Sequence, residues 1–600
     1  MWGRGQLGPK TSALLETGLG VEAAGAAIER GDVGALVDAG LARGRATRIL
    51  RHAHGGAAMD LLATRDARSV YKDLLDLAVE FAVTDDAADR IRILTPLASR
   101  QAMVDRQERI EAARTAWRDL DEDDRAALLA GFGGSGSEDA TDDGGASPAD
   151  DRLAAVRTAR AIRALEPEGA VFEPLRGLGG DALADAEAAL AGLAGGEDRV
   201  GAGADDRLDD LRTQLGAVED LAAAPAEVLE TVREGARGTD DLRESLAREV
   251  ASEAGVDTGR VRDAMPGEAV DASEFVETTL RNLAADLRDG VADREATVAE
   301  DLESDLAAAG DTVDAAVDAV GDLGLVLSLA RFAEAYDLTA PVILDGEGDD
   351  GQREALGMVA GRNLSLVAAG EDVQPVTYAV GDHDLPVASA NDPPAGDRVA
   401  VLTGANSGGK TTLLETCCQV QLLAQMGLPV PAEAAEVSPV DAIVFHRRHA
   451  SFNAGVLEAT LRTVVPPLTH EGRTLMLVDE FEAITEPGAA ANLLHGLVTM
   501  TVEAGALGVF VTHLAADLEP LPAAARTDGI FAEGLTPSLD LEVDYQPRFG
   551  TVGRSTPEFI VSRLVAEAGD RGERAGYRAL AEAVGEEAVQ RTLADARWQE

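Results

Sequence analysis

The stretch that decides the fold reads RVAVLTGANSGGKTTLLET and spans residues 398–416. Its first part, residues 399–402, is a short apolar run typical of a buried strand, and the part after Lys410 has the pattern of a helix. The loop between them fits G-x-x-x-x-G-K-[ST], in which glycines let backbone N–H groups converge on phosphate oxygens. A strand, a glycine-rich loop and a helix in this order predict a nucleotide-binding α/β domain.

Lys410 has the clearest chemical role in this loop. It is one of three lysines in the chain, with Lys10 and Lys72, and the other permanent cations are arginines. A compact ammonium on a flexible stem reaches the β- and γ-phosphates, a space that the planar guanidinium of arginine does not fit. Thr411 offers its hydroxyl to Mg²⁺. The predicted nucleotide contacts are Gly404, Ala405, Asn406, Ser407, Gly408, Gly409, Lys410, Thr411 and Thr412.

Two further apolar runs end in residues suited to phosphate chemistry. Residues 475–478 read as a buried parallel strand followed by Asp479 and Glu480. Asp479 is expected to hold Mg²⁺ together with Thr411, directly or through water, and Glu480 to orient or deprotonate the attacking water. The run LGVFVT ends at His513, which is expected to hydrogen-bond the γ-phosphate and report its presence. The predicted catalytic residues are therefore Glu480 and His513.

The composition narrows the class of protein. A formal net charge of −54 would ordinarily repel nucleic acid. Loss of lysine with an excess of Asp and Glu is typical of proteins from halophilic archaea, where molar salt shortens the Debye length to ~3 Å. Net charge therefore does not exclude DNA.

The chain has no apolar run near the roughly 20 residues of a membrane span and no signal-peptide segment, so we expect a cytoplasmic protein that does not bind membranes. Adjacent Cys417 and Cys418 form no disulfide framework and are expected to pack as small apolar groups.

Outside the nucleotide-binding domain the sequence predicts helices. Apolar spacing at 208–218 and 276–306 indicates long helices interrupted by Pro225 and Pro266, and both a partial coiled coil and an ordinary helical bundle fit it. Residues 131–151 read as a flexible acidic linker. The predicted domains are a helix-hairpin-helix-like unit at 1–58, a helical core and lever region at 59–338, an ATPase domain at 339–564 and a C-terminal helical segment at 565–600.

A local inversion of charge marks the first of these domains. From Arg43 to Met59 there is no acidic residue, whereas four arginines follow in quick succession: Arg43, Arg45, Arg48 and Arg51. The stretch Gly40-Leu41-Ala42-Arg43-Gly44, followed by a helix, resembles a helix-hairpin-helix hairpin, which points backbone N–H groups and a helix N-terminus at a phosphate. The pattern predicts contact with the phosphate backbone of DNA. A helical hairpin with a solvated basic face is the alternative.

Four segments together resemble the ATPase of MutS proteins, within the ABC class: TGANSGGKTTLLE, ASFNAGVLEATLRTV, LMLVDEFEAITEP and VFVTHLAADL. Weaker similarity extends to 91–113, which resembles the start of the MutS core, and to 543–564, which resembles the strand after the ATPase and its Ser/Gly turn around Ser555. The resemblance implies an α/β P-loop ATPase domain preceded by a mainly α-helical core and lever region. It also implies ATP and Mg²⁺ as cofactors.

The same resemblance implies a homodimer with two composite nucleotide sites. Each site would combine the phosphate loop of one subunit with a serine-bearing segment of the other, here Ser451, Phe452 and Asn453, with Glu458 downstream. Nucleotide state is then expected to drive a clamp-like movement of the levers around DNA. The glycine-rich segment that usually follows the Asp–Glu pair is replaced by FEAITEPGAAA, which puts the details of cross-subunit signalling in doubt.

The outline is most similar to the archaeal second-type branch of the family. The chain before residue 90 is too short for a mismatch-recognition domain, and no nuclease-like domain is expected after the ATPase. We therefore expect an ATP-hydrolysing, DNA-binding protein of DNA repair or recombination, whose DNA binding is sequence-nonspecific or structure-directed. Two alternatives stay open: an ATPase acting on ribosomes or RNA, as bacterial second-type relatives suggest, and a chromosome organiser with a long antiparallel coiled coil.

Overall fold

The computed structural model describes residues 9–133, 148–193, 200–235, 239–344, 353–386, 392–404, 409–447, 454–484, 487–535, 541–553, 557–585 and 589. The chain divides into two compact units. The first comprises Met1–Asp121, Gly169–Val171 and Leu323–Glu600, and the second comprises Glu122–Glu168 and Phe172–Asp322. The four domains proposed from the sequence stay a prediction, and most of the linker predicted at 131–151 lies outside the described residues.

Seven helices open the first unit: α1 (Pro9–Gly18), α2 (Val21–Arg30), α3 (Val33–Asp38), α4 (Arg43–Gly55), α5 (Arg65–Val79), α6 (Asp85–Arg92) and α7 (Arg100–Asp119). The first four share a small apolar core that includes Leu15, Leu36 and Leu50. Tight turns join α1 to α2 and α3 to α4. Gly20 and Gly40 lie in these turns with φ angles of 81° and 96°, a left-handed backbone that glycine adopts without steric cost.

These two turns lie side by side. A Cβ added to Gly18 would come within 3.0 Å of the Cα of Ala39, so the backbones of the two turns are in close contact. The triplets Gly18-Leu19-Gly20 and Gly40-Leu41-Ala42 stand 22 residues apart, and both leucines contribute to the same core. The hairpin predicted at 40–44 therefore has a second, similar turn as its immediate neighbour.

The second unit is helical throughout its described residues. Its helices are α8 (Glu122–Gly133), α9 (Pro148–Ala164), α10 (Glu173–Arg176), α11 (Gly180–Leu193), α12 (Asp206–Ala223), α13 (Pro225–Gly235), α14 (Thr239–Ala254), α15 (Thr258–Asp263), α16 (Ala272–Ala308) and the first part of α17 (Gly310–Ala335). Neither these helices nor any other described helix is long and apolar enough to span a membrane.

The long helices of this unit pack as a bundle. Val218 of α12, Val250 of α14 and Leu280 and Leu287 of α16 belong to one buried core, to which α13 also contributes. A core shared by four helices is that of a bundle, which decides between the two arrangements that the apolar spacing allowed. As predicted, the helices are interrupted at the two prolines, since α13 begins at Pro225 and Pro266 lies between α15 and α16.

The rest of the first unit is α/β. Its strands are β1 (Val342–Ile343), β2 (Ala355–Gly361), β3 (Val376–Gly381), β4 (Val399–Gly404), β5 (Ala434–Val437), β6 (Ala442–His446), β7 (Thr474–Asp479), β8 (Leu507–Val511), β9 (Ala525–Leu535) and β10 (Leu541–Phe549). Its helices are α18 (Leu364–Ala368), α19 (Lys410–Gln425), α20 (Ala454–Val464), α21 (Pro466–Thr469), α22 (Pro487–Glu503), α23 (Pro557–Glu567) and α24 (Arg571–Val584). The strands predicted at 399–402 and 475–478 are confirmed as parts of β4 and β7.

Two sheets are formed, a four-stranded one in the order β1-β5-β2-β3 and a six-stranded one in the order β10-β9-β4-β8-β7-β6. In the larger sheet the strands from β9 to β6 are parallel, and β10 pairs antiparallel with β9. Both faces of its centre are covered. Ala400 and Leu402 of β4 share a core with α19, whereas Val399 and Val401 share another with α22. A parallel sheet covered on both faces accounts for the uninterrupted apolar strands and confirms the α/β domain.

The outer edge of the larger sheet is covered by residues 61–63, which precede α5. Leu62 pairs in parallel with Ile443 of β6, and the N–H of Ile443 donates to the carbonyl of Leu61 at 2.7 Å. Thr64 then caps α5 and joins the strand as well. Its Oγ1 donates to the carbonyl of Phe445 at 2.6 Å and accepts the N–H groups of Phe445 at 3.1 Å and Ala67 at 3.3 Å.

Replacing Thr64 with valine should destabilise this unit because it leaves three polar backbone groups without a partner in a buried place. We expect a loss of about 2–4 kcal/mol, from an N-cap and buried hydrogen bonds together. Ser99→Ala is the matched control, since the Ser99 hydroxyl caps α7 with one exposed bond at 3.2 Å and should cost about 1 kcal/mol. Thermal melting in molar KCl compares the two variants, and an equal fall in melting temperature would contradict the role of Thr64.

Candidate nucleotide site

Three adjacent parallel strands bring the predicted residues to one edge of the larger sheet. β8 lies between β4 and β7, with Leu402 opposite Val511 and Asp479 also opposite Val511. The carboxyl ends of parallel strands meet at the same edge, where ligands of open α/β sheets bind. Gly404, the residues from Gly409 to Thr411, the pair Asp479 and Glu480, and His513 are thereby brought to the same edge.

The two described ends of the phosphate loop are held by close backbone contacts. Gly404 has a φ of 134°, and a Cβ there would lie 2.2 Å from the carbonyl oxygen of Ile530. On another side Gly553 approaches so closely that its own Cβ would be 2.9 Å from the Cα of Gly404. Gly409 has a φ of 70° directly before α19. Only glycine suits these positions. The predicted contacts Ala405, Asn406, Ser407 and Gly408 lie outside the described residues.

Lys410 is the first residue of α19 and is only 4% exposed. Its Nζ donates to the carbonyl oxygen of Gly404 at 2.9 Å, so the side chain folds back over the mouth of the loop. Burial lowers the pKa of Lys410 from its usual value, and the negative charges of Glu480, Asp479 and Glu482 act in the opposite direction. Lys410 therefore sits in a desolvated place with acidic side chains nearby, which suits a cation whose partner is a phosphate.

Thr411 and Asp479 are in direct contact. The Thr411 hydroxyl donates to Oδ2 of Asp479 at 2.7 Å, and Asp479 is 2% exposed. Mg²⁺ prefers hard oxygen ligands and usually takes only one or two from the protein, with phosphate and water completing its shell. A hydroxyl and a carboxylate at the mouth of the phosphate loop fit that requirement. Among the described residues no cluster of three or more His, Cys, Asp or Glu could hold a metal by itself.

Glu480 and His513 face one another across the ends of β7 and β8. The Nε2 of His513 lies 3.2 Å from Oε1 of Glu480, and the two side chains are 32% and 13% exposed. Glu480 has a φ of 43°, a left-handed backbone that is unusual for a residue with a side chain. Its N–H donates to the carbonyl of Val511 at 3.0 Å, which fixes the turn to the neighbouring strand. Strained backbone of this kind is concentrated at functional sites.

Thr412 and the two cysteines belong to the same helix. Thr412 is half-buried, and its carbonyl accepts the Thr416 hydroxyl at 2.8 Å. Cys417 and Cys418 are fully buried in the core of the sheet, which confirms that they pack as apolar groups. Burial raises the pKa of the Cys417 thiol to about 12, so it stays protonated and unreactive at neutral pH.

Two residues of this site were not predicted. Glu482 accepts hydrogen bonds from the segment that carries His513, and only the departure FEAITEPGAAA signalled something unusual there. Tyr545 of β10 lies against the phosphate loop, where a Cβ at Gly409 would be 2.8 Å from its Cδ1. Nothing in the spacing of the sequence indicated this contact, because it joins segments far apart in the chain.

The predicted DNA-contacting arginines lie at α4, and three of them have partners within the protein. Arg43 pairs with Asp89 at 2.6 Å, Arg45 donates to the hydroxyl of Thr11, and Arg51 donates to the carbonyl of Arg92 at 2.6 Å. Arg48 is exposed and makes no hydrogen bond or ion pair within the described part of the chain. Contact with DNA stays a prediction for all four.

The cross-subunit segment predicted from the resemblance, Ser451, Phe452 and Asn453, lies outside the described residues, as does Ser555. Its position along the chain is bounded on both sides. Arg447, at the end of β6, precedes it, and α20 begins at Ala454 directly after it. Glu458 lies on α20 with an exposed carboxylate that accepts the guanidinium of Arg462 at 2.7 Å.

Comparison with known proteins shows which proteins this part of the chain is similar to. The profile of MutS domain V matches residues 400–464. The DNA-binding protein MutS2 of Pyrococcus furiosus is 46% identical over 224 residues, which are 37% of this chain and 38% of that protein. The DNA mismatch repair protein MutS of Granulibacter bethesdensis is 32% identical over 232 residues, 37% of this chain and 23% of that protein.

A third relative, the Endonuclease MutS2 of Thermomicrobium roseum, is 29% identical over 222 residues, which cover 35% of this chain and 26% of that protein. The matched part of the chain thus spans between about a quarter and two fifths of the length of these relatives. The profile match and the identity to a MutS2 protein over 37% of the chain support a relationship with the MutS family, and with its MutS2-like branch in particular.

Proposed function

We propose that this protein is a Mg²⁺-dependent ATPase that binds the phosphate backbone of DNA and works as a homodimer in DNA repair or recombination. The observation that carries the proposal is the convergence of Lys410, Thr411, Asp479, Glu480 and His513 at one edge of the larger sheet. These groups cover the roles that phosphoryl transfer requires, which are a phosphate-binding cation, metal ligands, a group that handles the attacking water and a polar contact for the γ-phosphate.

Each residue has a distinct task in hydrolysis. On ATP binding, Lys410 exchanges its hydrogen bond with the Gly404 carbonyl for the phosphates, aided by the N-terminus of α19. Thr411 and Asp479 would hold Mg²⁺, which when bound neutralises charge on the phosphate oxygens. Glu480 orients the attacking water and accepts its proton. His513, beside Glu480, hydrogen-bonds the γ-phosphate and is released when that group leaves.

DNA contact is proposed at the paired hairpins of α1–α4. Arg48 is exposed there and is available to a phosphate, while Arg43 and Arg51 both have their partners in α6. Contacts of arginines and backbone N–H groups with phosphates position DNA without reading its sequence. Binding is therefore proposed to be sequence-nonspecific or directed by DNA structure. This proposal agrees with the name of the Pyrococcus furiosus relative, a DNA-binding protein MutS2.

The homodimer is proposed because the segment Ser451–Asn453 would complete the site of a second subunit. The helix that follows this segment, α20, supports such an arrangement. An open groove lined by half-buried Leu457, Leu461 and Val465 runs along it, so part of its apolar surface is not covered by the described residues of the same chain. Nucleotide held between two subunits would bias a closed state over an open one, because ATP and ADP differ in their affinity for the two states.

Lys410→Ala should weaken ATP binding and lower ATP turnover at least ~100-fold, because one preorganised charge on the phosphates is worth a few kcal/mol. Lys72→Ala is the matched control, since Lys72 is an exposed lysine of α5 paired with Asp76 at 2.8 Å. Phosphate release in molar KCl with Mg²⁺ measures both. Near-normal hydrolysis by Lys410→Ala would rule out this loop as the ATPase site.

Glu480→Gln should bind ATP normally but hydrolyse it ~10²–10⁴-fold more slowly, since it removes the group that accepts the proton of water. The phosphate and Mg²⁺ contacts remain, so ATP-bound dimers should accumulate and be detected by analytical ultracentrifugation. Glu471→Gln, an exposed position before β7, is the control. Turnover at the wild-type rate would show that Glu480 has another role.

Arg48→Ala should weaken duplex DNA binding and make the slope of log affinity against log salt shallower by ~0.9, as expected for one lost phosphate contact. Its melting temperature should not change, because the side chain is exposed. Arg578→Ala, on the exposed side of α24, is the control. Fluorescence anisotropy across a KCl series measures the slope, and an unchanged slope would move the DNA surface elsewhere. Tighter binding to ribosomal particles at equal salt would favour the RNA alternative.

A further inference from the structure

Glu482 joins the two loops that carry Glu480 and His513. It lies in the short 3-10 turn Phe481–Ile484 that follows β7. Its Oε1 accepts the hydroxyl of Thr512 at 2.9 Å and the N–H of His513 at 2.7 Å. The Thr512 hydroxyl in turn accepts the N–H of Leu514 at 3.0 Å. One carboxylate oxygen therefore holds both the Thr512 side chain and the main chain of His513, directly after β8.

These bonds close a ring. From Glu480 the chain runs through Phe481 to Glu482, whose carboxylate binds the main chain of His513, and the ring of His513 returns to Glu480 at 3.2 Å. The closure fixes the distance between the group proposed to handle water and the group proposed to contact the γ-phosphate. A misplacement of about 1 Å between such groups can cost ~100-fold in rate, so this closure bears directly on catalysis.

We propose that Glu482 is a positioning residue for ATP hydrolysis, which holds His513 in register with Glu480 through the hydroxyl of Thr512 and the main-chain N–H of His513. The inference rests on the proposed ATPase function and names a residue for it. Glu482 does not act on the nucleotide itself. It acts through His513. Its two contacts are with the hydroxyl of Thr512 and the main-chain N–H of residue 513, so replacing the His513 side chain would leave both contacts in place.

The neighbourhood of the carboxylate supports this role. Its second oxygen, Oε2, is buried and makes no hydrogen bond within the described part of the chain. Glutamine would keep the accepting oxygen and lose no recorded bond, whereas alanine would lose both bonds. The negative charge of Glu482 acts on Lys410, so removing it should leave ATP affinity unchanged or make it slightly tighter. Loss of the hydrogen bonds should therefore lower the rate of hydrolysis, whereas loss of the charge should affect only ATP affinity. Alanine removes both the bonds and the charge, and glutamine removes the charge alone.

Glu482→Ala should lower kcat about 10- to 100-fold, because losing both hydrogen bonds frees His513 to move out of register with Glu480. Its ATP affinity, measured with a fluorescent ATP analogue and Mg²⁺, should stay within about twofold of wild type. Glu482→Gln should retain kcat within about threefold, as rescue by the conservative variant requires. Glu503→Ala, an exposed glutamate at the end of α22, is the control. Equal loss of kcat in the glutamine and alanine variants would overturn the proposal.

A double-mutant cycle with His513→Ala tests whether the effect runs through His513. Adding Glu482→Ala to His513→Ala should lower kcat by less than about twofold further, because the group that Glu482 positions is already absent. Multiplicative losses would overturn the proposal, since a general structural role predicts them. If wild-type protein neither binds nor hydrolyses ATP, the proposed function fails. If wild type hydrolyses ATP and Glu482→Ala matches it in kcat, only the role of Glu482 fails.

Discussion

The buried ammonium of Lys410 is the constraint on which the nucleotide site depends. A cation that is 4% exposed is costly to desolvate, and three carboxylates, at positions 479, 480 and 482, offset that cost. They are near because β8 alone separates β4 from β7. The same carboxylates would repel a triphosphate. Mg²⁺ held by Asp479 would remove that repulsion, which gives a physical reason for proposing that nucleotide and metal bind together.

Net charge and local charge have different consequences in this protein. The net charge of −54 describes the whole surface, and molar salt would screen such charges over a few ångströms. The arginines of α4 concern one small surface, and part of their charge is used internally, as in the ion pair of Arg43 with Asp89. Counting arginines in the sequence therefore overstates the charge that is available to DNA. Arg48, which is exposed, is the position where the sequence pattern and the available charge coincide.

The parts of the fold that could be predicted from the sequence are those set by local pattern. Local pattern was enough to predict β4, β7 and the glycine loop before α19. A strand buried on both faces needs uninterrupted apolar residues, and close approach of the backbone to phosphate needs glycine. Apolar spacing located α12 and α16 but did not choose between a coiled coil and a bundle, since both bury the same stripe. That choice depends on Val250 and other side chains from helices distant in the chain.

What the sequence could not provide are contacts between segments far apart. Glu482 reads as one more acid in an acidic chain, and its role is visible only when the end of β8 lies beside it. Likewise, residues 61–63 show no strand signal because three residues are too few for a period to register, yet they complete the edge of the larger sheet. Tyr545 belongs to the same class, since its contact with Gly409 depends on how β10 returns over the site.

The contacts of residues 61–66 also give a physical link between the two proposed ligand sites. The paired hairpins end at α4, and a few residues later the chain pairs with β6 and caps α5 against it. The Asp66 carboxylate accepts the N–H of Arg447, and the guanidinium of Arg447 pairs with Glu415 of α19 at 2.9 Å. A displacement of α5 must therefore move either the end of β6 or the helix that follows the phosphate loop. Contiguity of this kind transmits a signal only where the packing has two arrangements, and the two nucleotide states are the ligands that could select between them.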